Sequence, residues 1–552
     1  MYYLMVGVKM RNVLLFCGLL QAHLAWTNAS PFSSEPNANS AVKPLVPKQT
    51  NSFQNPVVYE DFADNDVSVG PDGLYYFSAS NMHYSPGAPI LRSGDLVNWE
   101  LIGHSVPSLD FGEKYNLTNG HAYRGGTWAS TMRFRESTGL WYWIGCVDFW
   151  YTYIYTAKDV TGPWTRAAVL PGGTCYYDCG LLIDDDDTMY VVYGATDVSV
   201  AQLSKDGLSQ VETKHVFSAS DVGKDGIEGN RMYKKDGLYY ILDDHPGDIT
   251  YIWKSESPWG PYESKILVNG VKSPVPNGGV PHQGSLIQAS TGDWYYMSFT
   301  WAYPNGRMPV LAPVKWGDDG FPFFVADESG GWGSSYPAPL PAKAVREWTR
   351  TDTFDDDTLG PDWEWNHNPD ETKYKVGNGG VTLSTATVTD DLYAARNTLT
   401  HRIHGEFPVG TLQVDFTNMA DGDRFGLAAF RDRTAYIGIH RDGSKYTLSV
   451  VHNITQEESA WNTTSLGNIV ATSTDIPKDK TIWFRASLDA RASGSYAANF
   501  SYSTDGQKFT QLGEPYTMHT NWAYFMGYRF GIFNYATKKL GGSIRALSFK
   551  SA

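Results

Sequence analysis

The segment KKDGLYYILDD, residues 234–244, decides the fold because its pattern recurs at four other places in the chain. Each copy has a tight turn followed by a strand rich in aromatic and aliphatic residues, and such turns between β-rich runs are strong hairpin signals. The copies follow one another at intervals of about 50–65 residues, the size of a four-stranded unit. The other four are GPDGLYYFSAS (70–80), ESTGLWYWIGC (136–146), DDDTMYVVYG (185–194) and STGDWYYMSFT (290–300).

A second pattern follows each copy, a short apolar strand that ends in a polar turn. Two hairpins per repeat make four strands, and five repeats make five such units. The sequence therefore predicts an all-β chain with a five-bladed β-propeller over residues 51–335. The five second segments are ILRSGDLVNW (90–99), IYTAKDVTGPW (154–164), VAQLSKDGLSQV (200–211), IWKSESPWGPY (252–262) and VLAPVKWGDDGFP (310–322).

The rest of the chain has a different pattern. Residues 336–349 contain prolines and predict a stiff linker. From 350 to 552 apolar and polar residues alternate with period two, and turn residues break the runs regularly. This pattern predicts a second all-β domain, a β-sandwich of jelly-roll-like form.

The N-terminus is typical of a secreted protein. Residues 1–29 have basic residues before an apolar core and small residues before a cut after Ala29, as in a signal peptide. Residues 30–50 are polar and predict a disordered leader. We therefore expect a secreted, extracellular glycoprotein. Sequons for N-glycosylation stand at Asn116, Asn453, Asn462 and Asn499.

The cysteines and the net charge narrow the function further. Removal of the signal leaves Cys146, Cys175 and Cys179, so at most one intrachain disulfide forms and its pairing is open; a ring between Cys175 and Cys179 is one alternative. A three-cysteine metal site is the less favoured alternative, since secretion favours a disulfide. The net charge of −15 without a basic cluster argues against a nucleic-acid partner. We expect no membrane partner either, and a monomer.

The propeller predicts which side chains meet. The innermost strand of each blade should lie just before the first turn of each repeat. In every blade, the residue eight to ten positions before the turn should lie at the same depth in the channel. The residues at that depth are Asp64, Trp128, Asp178, Glu228 and His282.

Three carboxylates facing one channel are suited to glycoside cleavage. Like charges and partial burial raise the pKa of at least one of them, so that a protonated acid stands beside an ionised base. The alternative for each acid is a turn or surface residue without a catalytic role. For Trp128, core packing explains the residue as well as a role at the channel mouth does. The run Asp184–Asp187 lacks the ligand spacing of a calcium loop and predicts a solvated turn.

These segments resemble glycoside hydrolase family 43, whose members are five-bladed propellers that act on xylan and arabinan with inversion. The resemblance implies that Asp64, in NPVVYEDFADNDV, is the general base, although Asn65 replaces the family's usual proline. It implies that Glu228, in GIEGNRMY, is the general acid. Asp178 would orient the acid and raise its pKa, although Cys179 replaces another usual proline.

The same resemblance assigns further residues. His282 is similar to an axial histidine near a bound cation or water, so a structural calcium ion in the channel is conceivable, with no cofactor required for the reaction. Arg307, in GRMPVLAPVKW, would contact the sugar. Our own hypothesis, apart from the resemblance, is that Trp128 helps to shape the sugar pocket and that Tyr177, beside Asp178, lines its rim. The start of the second domain is similar to the sandwich found in one branch of the family. Its Trp363, Trp365 and Trp522 are candidate sugar contacts, with core packing favoured for each.

The segments SASNMHYSPGAP, CYYDC and TWAYPNGR resemble the fungal arabinofuranosidase-like branch. We therefore expect an α-L-arabinofuranosidase that removes side chains from arabinoxylan or a related plant cell-wall polysaccharide. The alternatives are a β-xylosidase acting on xylo-oligosaccharides and a sugar-binding propeller without catalysis.

Overall fold

The computed structural model describes residues 51–552, so the predicted signal peptide and leader lie outside the described residues. The propeller region begins with β1 (Ser52–Gln54). Blade 1 contains β2 (Asp66–Val69), β3 (Tyr75–Ser78), β5 (Gly87–Ser93) and β6 (Trp99–Val106). Between β3 and β5 the chain forms β4 (Tyr84–Ser85), which belongs to another sheet. Blade 2 contains β7 (Thr131–Arg135), β8 (Leu140–Val147), β9 (Tyr151–Ala157) and β10 (Thr165–Val169). Blade 3 contains β11 (Gly180–Ile183), β12 (Met189–Ala195), β13 (Asp197–Leu203) and β14 (Gln210–Ser218).

Two more blades complete the propeller, which confirms the predicted five. Blade 4 contains β15 (Glu228–Lys235), β16 (Leu238–His245), β17 (Ile249–Ser255) and β18 (Glu263–Asn269). Blade 5 contains β19 (His282–Gln288), β20 (Trp294–Ala302), β21 (Gly306–Trp316) and β22 (Pro322–Phe324). The strand that follows, β23 (Ser335–Pro337), pairs antiparallel with β1.

The repeated turns form the first hairpin of each blade. In blade 4, Asp236 and Gly237 both have positive φ, 53° and 80°, as the central residues of a type I′ turn require. The turn at Asp184–Thr188 joins β11 to β12 and is closed by a bond from the Asp184 N–H to the Thr188 carbonyl, 2.8 Å. The aspartate run is therefore a turn, as predicted.

The innermost strands β2, β7, β11, β15 and β19 contact one another around the central channel. Every blade is built from one continuous stretch of chain, so no strand is exchanged to close the ring. Blade 5 meets blade 1 through Ser285, whose hydroxyl accepts from the Val67 N–H (3.0 Å) and donates to the Asn65 carbonyl (3.1 Å). The β1–β23 pair adds a second contact at this seam.

Two stacked sheets form the C-terminal β-sandwich, as predicted. One is built on the order β26-β27-β39-β29-β34-β35-β36, with β24 and β37 alongside, and the other has the order β33-β32-β31-β30-β38-β28-β25-β4. Their facing sides enclose a core that includes Leu412, Phe425 and Phe484. The strands are β24 (Thr351–Asp352), β25 (Trp363–Asn366), β26 (Tyr374–Val376), β27 (Val381–Ser384), β28 (Leu399–Arg402), β29 (Val409–Asp415), β30 (Asp423–Phe430), β31 (Arg433–Asp442), β32 (Lys445–Gln456), β33 (Thr463–Ser473), β34 (Thr481–Leu488), β35 (Ala497–Ser503), β36 (Thr510–Gln511), β37 (Tyr516–Thr517), β38 (Arg529–Ala536) and β39 (Ser543–Ser551).

Helical structure in residues 51–552 is limited to short 3₁₀ turns, and no helix there is long and apolar enough to cross a membrane. The turns are Glu113–Asn116, Ala219–Val222, Glu371–Lys373, Leu392–Ala394 and Trp522–Tyr524.

The propeller and the sandwich share a sheet and a buried charge cluster. Strand β4 of blade 1 pairs with β25, with Ser85 opposite Trp365. Beneath this pair, the carboxylate of Glu364 accepts from Arg529, from Arg402 and from Nε2 of His104. The two arginines lower the pKa of Glu364 although burial opposes them, so the carboxylate stays ionised.

Cys146 at the end of β8 forms a disulfide with Cys175, and Cys179 is free and buried. The alternative ring between Cys175 and Cys179 is therefore wrong. The bond ties blade 2 to the segment that enters blade 3 just ahead of Asp178.

The double variant Cys146→Ala/Cys175→Ala should lower the free energy of unfolding by about 3–4 kcal/mol, because the bond closes a loop across a separation of 29 residues. Urea denaturation followed by tryptophan fluorescence measures the change. A reductant should destabilise the unmodified protein and leave the double variant unaffected. Equal stabilities of the two proteins would contradict the assigned pairing.

Candidate active site

One end of the channel gathers all five residues that the repeat phasing singled out. Glu228 and His282 are the first residues of β15 and β19. Asp64, Trp128 and Asp178 lie two or three residues ahead of β2, β7 and β11. Each therefore stands at the entry to an innermost strand, and the blades present them around one mouth.

A buried arginine holds the backbone beneath two of the carboxylates. Arg231, which is completely buried, donates to the carbonyls of Asp64 (2.9 Å), Asn65 (3.1 Å) and Cys179 (2.7 Å). Asp64 and Asp178 both have positive φ, 58° and 46°, a conformation that non-glycine residues rarely adopt. The arginine thus stabilises two strained turns that aim carboxylates into the mouth.

Asp64 is held in place by charged and polar donors. Arg307 Nη1 donates to Oδ1 at 2.8 Å and to Oδ2 at 3.0 Å. The hydroxyl of Ser80 donates to Oδ2 at 2.6 Å. These bonds fix the orientation of the carboxylate, as a general base requires.

Glu228 and Asp178 form an acidic pair next to Asp64. Burial raises the pKa of Asp178 well above its usual range, and the charges of Glu228 and Asp64 add to the effect. Burial also raises the pKa of Glu228, against a lowering by the hydroxyl of Tyr177, which donates to Oε2 at 2.9 Å. Two carboxyl groups with raised pKa values, those of Asp178 and Glu228, therefore stand beside Asp64.

Aromatic side chains surround the acid. The rings of Tyr177 and Phe149 stack with centroids 5.5 Å apart, and Trp128 packs edge-on against Phe149 at 4.4 Å. Trp128 also donates to the Arg124 carbonyl at 2.7 Å. Phe149 is 62 % exposed, so this aromatic group begins at Glu228 and ends at the protein surface.

The sandwich supplies the opposite wall. Arg307 Nε donates to the Phe525 carbonyl at 3.0 Å, and its guanidinium lies 5.4 Å from the centre of the Phe525 ring. Asp61 joins the two domains behind Arg307: it accepts from the backbone N–H groups of Arg307 (2.7 Å) and Gly527 (2.9 Å).

The three sandwich tryptophans do not share one environment. Trp363 and Trp365 are buried in the sandwich core, as expected. Trp522 is 51 % exposed and its ring lies 5.2 Å from that of Trp301, so core packing is wrong for this residue. It stands near the wall formed by Phe525, 5.9 Å away.

His282 is buried at the entry to β19. Its Nδ1 pairs with the Val280 carbonyl at 2.8 Å, and burial lowers its pKa to about 4, so the ring is neutral. Within residues 51–552, no group of three His, Cys, Asp or Glu side chains is placed to hold a metal ion.

Four further residues of the site were not found from the sequence: Arg231, Phe525, Gln283 and Asp244. Arg231 follows Glu228 by three residues in β15, so a cation close to the predicted acid in an innermost strand was the available signal. Gln283 Nε2 lies 3.5 Å from Asp178 Oδ2. Asp244 is opposite Glu228 in the ladder, is completely buried, and has no hydrogen-bond partner for either carboxylate oxygen. Burial raises its pKa, so it backs the acid as a neutral group.

A propeller with a carboxylate cluster at its mouth and an attached sandwich is an architecture of glycoside hydrolases, and the comparisons name the family. The model of glycosyl hydrolases family 43 matches residues 53–322. The model of the beta xylosidase C-terminal concanavalin A-like domain matches residues 351–545. The chain belongs to glycosyl hydrolases family 43.

Relatives with different activities resemble the chain over most of its length. A solved structure described as an engineered GH43 glycoside hydrolase that displays both endo-xylanase and exo-arabinofuranosidase activity is 42 % identical, with a TM-score of 0.87, over 91 % of this chain and 99 % of that one. A beta-xylosidase of Formosa agariphila is 27 % identical, over 93 % of this chain and 94 % of its own. The non-reducing end alpha-L-arabinofuranosidase BoGH43B of Bacteroides ovatus is 32 % identical, over 58 % and 62 %.

The variant Tyr177→Phe should move the alkaline limb of the kcat/KM profile to higher pH. The Tyr177 hydroxyl stabilises ionised Glu228, so its loss raises the pKa of that carboxyl further. An acid that must be protonated then works to a higher pH. Tyr176→Phe is the matched control, because the Tyr176 hydroxyl bonds to Gln210. A shift to lower pH in Tyr177→Phe would contradict this role.

Proposed function

We propose that the protein is a secreted, inverting α-L-arabinofuranosidase that removes arabinofuranosyl side chains from arabinoxylan. The observation that carries the proposal is the mouth itself, where Asp64, fixed by Arg307, stands beside Glu228 and Asp178, whose pKa values are raised. An ionised base and a protonated acid in one water-accessible cleft are the two groups that glycoside hydrolysis needs.

In the proposed mechanism, Glu228 donates its proton to the glycosidic oxygen as the bond to the anomeric carbon breaks. Asp64 takes a proton from a water molecule, whose oxygen attacks the opposite face of that carbon. Asp178 keeps Glu228 oriented and protonated. Inversion requires a carboxyl separation of about 6.5–9.5 Å between acid and base, which leaves room for the water.

The positions of the aromatic groups suggest how the polymer lies. The leaving group departs on the side of the acid, and Phe149 extends from Tyr177 on that side to the surface. Trp150 and Tyr151 continue this exposed aromatic strip, at 54 % and 41 % exposure. We place the xylan main chain on this strip and the arabinosyl unit against Arg307 and Phe525.

A β-xylosidase acting on xylo-oligosaccharides is the second candidate. It is favoured by the relative from Formosa agariphila, a beta-xylosidase that aligns over almost the whole chain. Hydrolysis of 4-nitrophenyl α-L-arabinofuranoside and 4-nitrophenyl β-D-xyloside distinguishes the two. NMR spectra of arabinoxylan during digestion identify the branches removed and the anomer first released; an α-arabinose or an unbranched product with free xylose would contradict the proposal.

The variant Asp64→Ala should lower kcat/KM by at least about 10³-fold on aryl glycosides and polysaccharide alike, since no other group activates the water. Glu228→Ala should lose as much on arabinoxylan and far less on an aryl glycoside, whose leaving group needs no proton. Asp110→Ala, an exposed carboxylate after blade 1, is the control. Near-full activity of Asp64→Ala would refute the mechanism, and release of no sugar by the unmodified enzyme would favour a binding protein.

The variant Phe149→Ala should raise KM for arabinoxylan about three- to tenfold, the loss expected for one stacking contact. KM for a small aryl glycoside should stay within experimental error, because such a substrate does not reach the strip. Phe323→Ala is the matched control, since Phe323 is 48 % exposed on the outermost strand of blade 5. An equal rise for both substrates would place Phe149 in the sugar pocket instead.

A further inference from the structure

The edge of one sandwich sheet is long and uncharged, and it exposes three large apolar side chains. Strand β33 is the last strand of its sheet and runs for 11 residues, TTSLGNIVATS, without a charged side chain. Leu466, Ile469 and Val470 are 52 %, 54 % and 42 % exposed. An edge of this kind is a template for pairing with another chain, and proteins ordinarily protect it with charge, proline or a cover.

Two of the four sequons within residues 51–552 lie at this edge. Asn462 immediately precedes β33. Asn453 is in the neighbouring strand β32, with a φ of 64°, and its Nδ2 donates to Oδ1 of Asn468 in β33 at 3.2 Å. The hydroxyls of the two sequon threonines, Thr455 and Thr464, lie 3.1 Å apart. Both asparagines are exposed, so a group attached to either amide projects beside β33.

The other two sequons have different surroundings. Asn499 is half-buried in β35, which is paired on one side with β34 and on the other with β36 and β37. Asn116 is half-buried, and its Oδ1 accepts from Nδ2 of Asn368 in the sandwich at 3.1 Å. Neither lies on β32 or β33, and so neither shares the surroundings of Asn453 and Asn462.

We propose that Asn453 and Asn462 carry N-linked glycans and that these glycans cover β33 against edge-to-edge association. In the attachment step the amide nitrogen forms a bond to the anomeric carbon of an oligosaccharide. The bond from that carbon to the diphosphate of a lipid-linked donor breaks, and the amide loses one proton. A hydrated, uncharged polymer on both sides of the strand excludes a second chain without adding charge. The proposal requires passage through a glycosylating secretory compartment.

The test uses the full chain secreted by a yeast host behind the host's own signal, so that it does not depend on the proposed activity or on the natural signal. Glycopeptide mass spectrometry should show sugar on Asn453 and Asn462. Enzymatic removal of the glycans from the folded protein should then raise the weight-average mass about twofold or more with concentration in light scattering, as edge pairing gives dimers or larger assemblies. Absence of sugar from both residues would overturn the proposal.

Variants distinguish the loss of the glycans that cover β33 from a loss of the folded structure. Asn453→Gln/Asn462→Gln should associate in the same way as the deglycosylated protein, and Asn499→Gln should remain monomeric. Adding Ile469→Lys to the double variant should restore the monomer, because a charge on the edge repels pairing. Hydrolytic activity should be unchanged in all of them, which reports that they are folded. A deglycosylated protein that stays monomeric at every concentration would refute the cover.

Discussion

The guanidinium of Arg231 in the central channel is the contact on which the geometry of the site depends. It donates to carbonyls from blades 1 and 3 and belongs to blade 4 itself. A charge without access to water is costly unless every donor is used. Because its partners are the carbonyls around Asp64 and Cys179, the arginine can be satisfied only when both strained turns are in place. The strained turns at Asp64 and Asp178 are thus supported by one guanidinium, which also lies 3.5 Å from the buried carboxylate of Asp66.

The proposed acid, Glu228, and the proposed base, Asp64, lie in different surroundings. Asp64 accepts strong hydrogen bonds from Arg307 and Ser80. Glu228 has one phenolic donor and is otherwise buried among carboxyl groups, including neutral Asp244 behind it. Two carboxyl groups of similar intrinsic acidity thereby stand in different surroundings, and the difference comes from the blades that flank them.

Much of the propeller was predictable because the signals are local. The turn residues and the strand pattern recur five times. Counting back from each turn therefore placed Asp64, Asp178 and Glu228 at the entries to their strands. The resemblance to a known family added Arg307. The cysteine pairing could not be predicted, because it depends on the approach of β8 to the loop before Asp178. Phe525 was not identified from the sequence, and Trp522 was wrongly expected to pack in the core, for the same reason. Their position depends on how the sandwich docks, and no pattern within residues 350–552 encodes that docking.

Strand β4 gives the molecule a property that neither domain has alone. Its two residues leave blade 1 to finish a sheet of the sandwich, and Arg402 and Arg529 reach back to share the Asn81 amide oxygen at 2.6 and 2.9 Å. Asn81 is next to Ser80, which bonds to Asp64. Replacing either domain with the corresponding domain of a relative would disrupt the shared sheet and the buried charge cluster. That cluster reaches Asn81, one residue from Ser80. The propeller and sandwich are therefore expected to be inherited as one unit, and substrate preference to diverge by changes in both halves together.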